Sequence, residues 1–237
     1  MLNRLLHNLS NLVFPGVCET CDTAMPPSLP PGVCPRCESE IKWISPPFCA
    51  RCGRTTNGGA VCASCGKSVF HYDRAFACAW YEGKMKELLH LYKFGGRKHL
   101  RNFLIRKMTE FIRRHLPPSS FDAVAAVPLD AAKKRKRGFN QSELLSSQIA
   151  EAFRISHLTR ALVRTKPSVP QARLDKIERQ TNVKGCFRLS EPAAVKHKNL
   201  LLVDDILTTG QTTSECARVL KGANAASVTV LVCARGA

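Results

Sequence analysis

Residues 199–212 read NLLLVDDILTTGQT, and the fold turns on this stretch. The run NLLLV at 199–203 is short and apolar, the pattern of a strand covered on both faces. It ends in two adjacent carboxylates, Asp204 and Asp205, and passes into a hydroxyl-rich loop before a helix starting near Gln211. Thr208, Thr209 and Thr212 offer hydroxyl donors, Gly210 lets backbone approach closely, and the free N–H groups of the helix start aim at the same point. Together they predict a cradle for a phosphate monoester. Paired acids beside a bound anion are repulsive unless they face another part of the ligand. Vicinal ribose hydroxyls, or hydrated Mg²⁺, resolve that conflict. The competing reading makes one aspartate a helix N-cap before an incidental TTG turn.

The flanking sequence repeats the alternation. TTSECARVLKG reads as a helix stopped by Gly222, and SVTVLVCA as a last buried strand; FDAVAAVP is another short buried strand. The aromatic-rich segment around 75–81 reads as a strand or hairpin edge. Met85, Leu88, Leu89 and Tyr92 follow at helical spacing, and Gly95 and Gly96 end that helix. A helix over 97–115 carries Leu100, Phe103, Leu104, Met108, Phe111 and Ile112 inward, and another fits 140–154 through Leu144, Leu145, Ile149 and Phe153. Residues 164–182, with two prolines and little apolar content, read as a mobile loop. The expected class is α/β with a mostly parallel sheet, whose ligands bind at strand C-termini.

Residues 1–70 are of another kind. Cys18/Cys21, Cys34/Cys37, Cys49/Cys52 and Cys62/Cys65 form four CxxC pairs. Two such turns bring four thiolates onto one Zn²⁺ and close a tetrahedron with no position left for substrate. Gaps of 12 and 9 residues suit two consecutive sites, Cys18/21/34/37 and Cys49/52/62/65, although spacing alone also permits an interleaved pairing. A redox role does not explain four motifs in succession. Segments such as MPPSLPPG supply no core, so two structural zinc ions are expected to provide most of the folding free energy, on the order of 10 kcal/mol per site. Leu2, Leu5, Leu6, Leu9 and Leu12 describe one apolar helical stripe expected to pack on the protein itself. Cys78, Cys186, Cys216 and Cys233 have no partner spacing and are expected in the core.

The chain carries 36 Lys+Arg against 18 Asp+Glu, a net +18 that points to a polyanionic partner. Only +2 of it lies in residues 1–70, so the basic character belongs to residues 71–237. It peaks in the run Lys133, Lys134, Arg135, Lys136 and Arg137, directly after VPLD. One small phosphorylated ligand needs a couple of cations, so the excess suggests a longer anion such as single-stranded DNA. No stretch has the length and apolarity of a membrane span, and Arg4, His7 and Asn8 interrupt the leading leucines; a cytoplasmic protein without membrane insertion is expected. His90, His99, His115 and His157 fall in helical or helix-flanking patterns and none stands out as a general base.

VDDILTTGQT resembles the 5-phosphoribosyl-1-pyrophosphate (PRPP) motif of type I phosphoribosyltransferases. With CARCG, YEGKMKELLHLYKFGGR, VPLDAAKKRKRGFNQSELL and RTKPSVPQARLDKIERQTNVKGCF, the whole chain resembles the ComF family, competence-associated phosphoribosyltransferase-like proteins with an N-terminal zinc finger. The resemblance implies a zinc domain at 1–70 and a type I phosphoribosyltransferase-like domain at 71–237. It implies that Asp204 and Asp205 meet the ribose hydroxyls, that Thr208, Thr209, Gly210, Gln211 and Thr212 hold the 5-phosphate, and that VPLD, with Leu129 and Asp130, stands at the pyrophosphate. Loop 164–182 corresponds to a hood with Gln171, Arg173 and Arg179 as its polar candidates. The implied ligands are PRPP with Mg²⁺, and the implied setting is natural competence, with single-stranded DNA and a DNA-uptake helicase or channel component as partners.

Overall fold

The computed structural model describes residues 16–26, 28–30, 32–58, 61–66, 69–166 and 183–236. After two short N-terminal helices, α1 (Pro35–Ser39) and α2 (Ala63–Gly66), the chain runs β1 (Arg74–Trp80), α3 (Gly83–Phe94), α4 (Leu100–His115), β2 (Ala123–Ala126), α5 (Ala131–Arg137), α6 (Gln141–Phe153) and β3 (Ser156–His157). It continues through β4 (Leu162–Arg164), β5 (Phe187–Leu189), β6 (Asn199–Leu207), α7 (Gln211–Gly222) and β7 (Ser227–Arg235).

Five strands form one parallel sheet in the order β1-β7-β6-β2-β3, while β4 and β5 pair antiparallel beside it. The strand that carries the acid pair is therefore the middle one. Its side chains alternate as the two-residue period requires. Leu201 and Val203 enter a cluster with α3, α4 and α6, whereas Leu200 and Leu202 enter a second with α7 and the β4–β5 pair. The unpatterned apolar run thus reflects a strand sandwiched between two cores. Cys78, Cys186, Cys216 and Cys233 are all buried in these cores.

The N-terminal part is built into the same architecture. Met25, Val33 and Ile41 join Phe103, Leu104 and Phe111 in the first cluster, so apolar packing supports this part together with its cysteines. Its backbone also covers the outer edge of β1. The N–H of Ile44 donates to the Cys78 carbonyl (2.9 Å), that of Trp80 to Lys42 (2.9 Å) and that of Ala75 to Arg51 (2.8 Å). An otherwise open sheet edge is closed. Gly53 allows this approach: at φ 66°, a Cβ there would lie 2.4 Å from the Ala75 carbonyl oxygen.

Two features lie beyond the sequence pattern. The basic run 133–137 is helical although it has no apolar stripe, because Asp130 caps its start and Gly138 ends it in the left-handed conformation. Part of 162–189 forms the β4–β5 pair, each strand only three residues long. Gln171, Arg173 and Arg179 of the expected hood, and the leucine stripe 2–12, lie outside the described residues. Among the described residues no helix is long and apolar enough to cross a membrane.

Candidate functional site

The acid pair lies within β6, which continues past the expected stop at 203 to Leu207 because Ile206 and Leu207 still pair with Ala234 and Arg235 of β7, and it is held by two helices. Ser142, in the first turn of α6, donates its hydroxyl to Asp204 Oδ1 at 2.7 Å, and the peptide N–H of Asp205 donates to the same oxygen at 2.9 Å. Asp205 Oδ1 pairs with Lys93 Nζ from the last turn of α3 at 2.9 Å, with side chains only 7% and 13% exposed. Asp205 Oδ2 is buried and has no hydrogen-bond partner. Burial, and then the neighbouring Asp205 charge, push the Asp204 carboxyl up to about 7 against the opposing influence of Ser142, the Asp205 N–H and Lys93.

Facing the acids across a cavity of about 180 Å³ are the VPLD segment and α5. The Val127 N–H donates to the Val203 carbonyl (3.0 Å), which sets this segment beside the tip of β6. Asn140 straps it down, donating Nδ2 to the Val127 carbonyl (3.2 Å) while its Oδ1 caps α6 through the Ser142 N–H (3.1 Å). Asp130 lines the cavity, and its Oδ1 accepts from the N–H groups of Ala132 (3.0 Å) and Lys133 (3.2 Å). Leu129 also lines the cavity. Helical periodicity then divides the five cations. Half-buried Arg137 and, one turn earlier, Lys133, which is itself largely exposed, line the cavity, while Lys134, Arg135 and Lys136 are exposed without lining it, Lys134 reaching Glu143 at 3.3 Å. The Arg137 guanidinium stacks 4.5 Å above the Phe94 ring, and its buried Nη1 has no hydrogen-bond partner. Burial lowers the pKa of Lys133, and Arg164 adds to that effect.

The 208–212 turn lies on the other side of the acids. Thr208 and Thr209 are exposed, Gln211 and Thr212 are half-buried, and Thr212 reaches the cavity. Gly210 is buried at φ 77°, and its missing Cβ faces the protein's own chain: an added one would lie 3.0 Å from Tyr72 Oη and 3.1 Å from Phe70 Cε1. These two rings stack at 4.9 Å, and the His71 N–H donates to Ser214 Oγ of α7 at 3.0 Å. The segment joining the cysteine-rich part to β1 therefore braces the turn.

The eight N-terminal thiols fall into two sets in chain order. The Sγ atoms of Cys18, Cys21, Cys34 and Cys37 lie within 4.8 Å of one another, as do those of Cys49, Cys52, Cys62 and Cys65. Four sulfurs bound at about 2.3 Å to a tetrahedral Zn²⁺ stand about 3.8 Å apart. Cys21 and Cys34 are 3.8 Å apart, and so are Cys52 and Cys62. The sets share a further feature, a backbone N–H onto a sulfur at 3.3 Å, from Cys34 to Cys18 and from Cys62 to Cys49. Burial alone would raise Cys18 and Cys49, but hydrogen bonds bring both thiols down to about 6. Both clusters fit structural zinc. The acid pair fits Mg²⁺ more narrowly: Asp205 Oδ2 has no hydrogen-bond partner but is buried, and the ion takes most of its ligands from water and phosphate oxygens.

Two family models match: residues 9–66 the one described as "Double zinc ribbon domain" and residues 102–237 the one described as "Phosphoribosyl transferase domain". The "DNA utilization protein YhgH" of Escherichia coli (strain K12) is 30% identical over 223 residues, covering 92% of this chain and 96% of that protein. "Competence protein F" of Haemophilus influenzae is 29% identical over 194 residues, covering 78% of this chain and 82% of that protein. The chain belongs to the ComF/YhgH family. Among solved structures, a glutamine PRPP amidotransferase from B. subtilis superposes with a TM-score of 0.39 and 18% identity, covering 55% of this chain and 26% of that one. In this ComF/YhgH-family chain, Lys93, Gln141, Ser142 and Arg164 line the acid-pair cavity without having been singled out by sequence. All four lie in segments that carry the family resemblance, Lys93 in YKFGGR, Gln141 and Ser142 in RGFNQS and Arg164 at the start of RTKPSVP, and that is the one signal sequence offers for them. None of His90, His99, His115 and His157 lines that cavity.

Proposed function

We propose that this ComF/YhgH-family chain binds PRPP at the tip of β6 and acts in natural competence, in the uptake or processing of single-stranded transforming DNA. The observation that carries the first part is one of charge placement. Asp204 and Asp205, with Lys93 beside them, line one side of the cavity, Lys133 and Arg137, with Asp130, line the other, and of the 208–212 turn Thr212 reaches the cavity while Thr208 and Thr209 are exposed outside its lining. A ribose with a phosphate at one end and a pyrophosphate at the other has that distribution of hydroxyls and charge. Asp204 and Asp205 would accept from the ribose hydroxyls, residues 208–212 would take the 5-phosphate, and Lys133 with the unpartnered Nη1 of Arg137 would meet the pyrophosphate. Mg²⁺ arriving with PRPP would supply charge neutralisation between pyrophosphate and sugar. Gln171, Arg173 and Arg179 are the hood candidates for covering the site.

Cations at the pyrophosphate would favour its departure from ribose C1 in exchange for a nitrogen nucleophile, a reaction driven chiefly by electrostatics. The acceptor is unassigned, and the same cavity serves equally as an effector site. The names of the relatives, DNA utilization protein and competence protein, support the setting. A nucleic-acid role for the outer face of α5 rests on the exposed Lys134, Arg135 and Lys136, and an uptake helicase or channel component is the class of protein partner that suits it.

Calorimetric titration of the zinc-loaded protein with PRPP and Mg²⁺ tests the first part. Saturable binding lost in the D204N/D205N variant is expected; silence in both proteins defeats it. Fluorescent single-stranded DNA titrated at two salt concentrations tests the second. About six neutralised phosphates would give a log–log slope near −4, and a flat response removes the DNA role.

A further inference from the structure

Asp205 is spoken for on one side only. Its Oδ1 is 2.9 Å from Lys93 Nζ, its Oδ2 is buried without a partner, and both side chains are almost wholly covered. Lys93 is not a surface lysine that happens to lie nearby. Leu88, Leu89 and Tyr92 of the same helix are fully buried, and Tyr92 Oη donates to the Gln141 carbonyl at 3.3 Å. That contact locks the end of α3 onto the turn of α6 that presents Ser142 to Asp204. The two helices thus hold the two carboxylates as a unit, one through a hydroxyl and one through an ammonium. A monovalent cation built into the chain occupies the position beside the acid pair where charge compensation is needed.

We propose that Lys93 is a positioning residue that stands in for a divalent ion at the sugar end of the site. It compensates the acid pair, engages Oδ1 of Asp205 while leaving Oδ2 unpaired, and lets a ribose 5-phosphate group bind without Mg²⁺. The metal requirement is then confined to the pyrophosphate of PRPP. This assignment rests on the phosphoribosyl reading of the cavity.

The test uses the full zinc-loaded chain, with zinc content verified, titrated calorimetrically with ribose 5-phosphate in resin-treated metal-free buffer and again with Mg²⁺. Wild type is expected to bind ribose 5-phosphate within about twofold equally in both buffers, while PRPP binds more tightly with Mg²⁺. Lys93→Met is expected to lose about tenfold or more for ribose 5-phosphate in metal-free buffer, the size of effect of one charged hydrogen-bonding group, and to recover part of it with Mg²⁺. Lys93→Arg, which keeps the charge, is expected to retain metal-free binding; a merely structural role for Lys93 would move overall stability and leave the Mg²⁺ dependence unchanged. Should Lys93→Met fail to fold, Lys93→Gln, which keeps a hydrogen-bond donor but no charge, is read against the same expectation. The proposal is overturned if wild type needs Mg²⁺ to bind ribose 5-phosphate, or if the neutral variants bind it in metal-free buffer as wild type does. If wild type binds neither ligand in either buffer, the phosphoribosyl reading itself falls, a result distinguishable from failure of the Lys93 assignment alone.

Discussion

Asp204 places binding and stability in opposition. Burial and the Asp205 charge push its carboxyl up to about 7 from an ordinary 3.8, so between those values the native state holds a proton that the unfolded state has released. Stability therefore falls as pH rises from about 4 to 7 and stays at the lower level above that. Asp204→Asn mimics the protonated form. It is expected to raise the melting temperature of the ligand-free protein by several degrees at pH 8, on the order of 2–4 kcal/mol, with the gap closing by pH 4. The same variant should lose PRPP binding, and scanning calorimetry across pH checks the sign. Gly210 makes a separate case: Gly210→Ala places a Cβ at φ 77° against Tyr72 Oη and is expected to cost about 1–3 kcal/mol, with Tyr72→Phe in the same background recovering part of it in a denaturant melt. At this scale the sequence made Asp204 and Asp205 legible because strand, acids and turn are contiguous. For Lys93 the family segment YKFGGR gives no role, because its meaning depends on α3 and β6 meeting, more than a hundred residues apart, and no local spacing encodes that.

Helix α5 has two charged faces with different expected uses. Lys133 and Arg137 line the cavity, while Arg135 and Lys136 point to solvent. A Lys133→Ala/Arg137→Ala variant is expected to weaken PRPP binding by tenfold or more, about the loss of one or two charged hydrogen bonds, with a smaller effect on single-stranded DNA. Arg135→Ala/Lys136→Ala is expected to leave PRPP binding unchanged and to flatten the salt slope for DNA by about 1.4. Titrations of both ligands against both variants separate the faces, and equal effects of the two variants on both ligands would contradict the division. The longer elements α3, α4 and α6 follow their apolar periodicity to within about three residues, because each buries one stripe against the sheet. Helix α5 has no stripe to read, and its start and end are set by Asp130 and Gly138. Strands β3, β4 and β5 are two or three residues long, too short for a two-residue period to register.

Across the whole molecule, the cysteine-rich part and the sheet form one mechanical unit. The first cysteine set packs beside α4, and Arg235 at the end of β7 donates to the Cys52 carbonyl in the second. Phe70 touches that second set and, with Tyr72, braces the 208–212 turn. Removing zinc with a strong chelator is therefore expected to lower the melting transition of the whole chain and weaken PRPP binding; an unchanged phosphoribosyl transferase domain transition would show the parts to be independent. Sequence announced the eight ligands through their spacing but not this attachment, because Met25, Val33 and Ile41 look too sparse to form a core until α4 supplies the rest of it. Where a phosphorylated sugar sits is read from a co-crystal structure with ribose 5-phosphate. The vicinal hydroxyls are expected on Asp204 and Asp205 and the phosphate at 208–212; a sugar bound elsewhere, or a phosphate on the outer face of α5 with the acid pair empty, overturns the assignment.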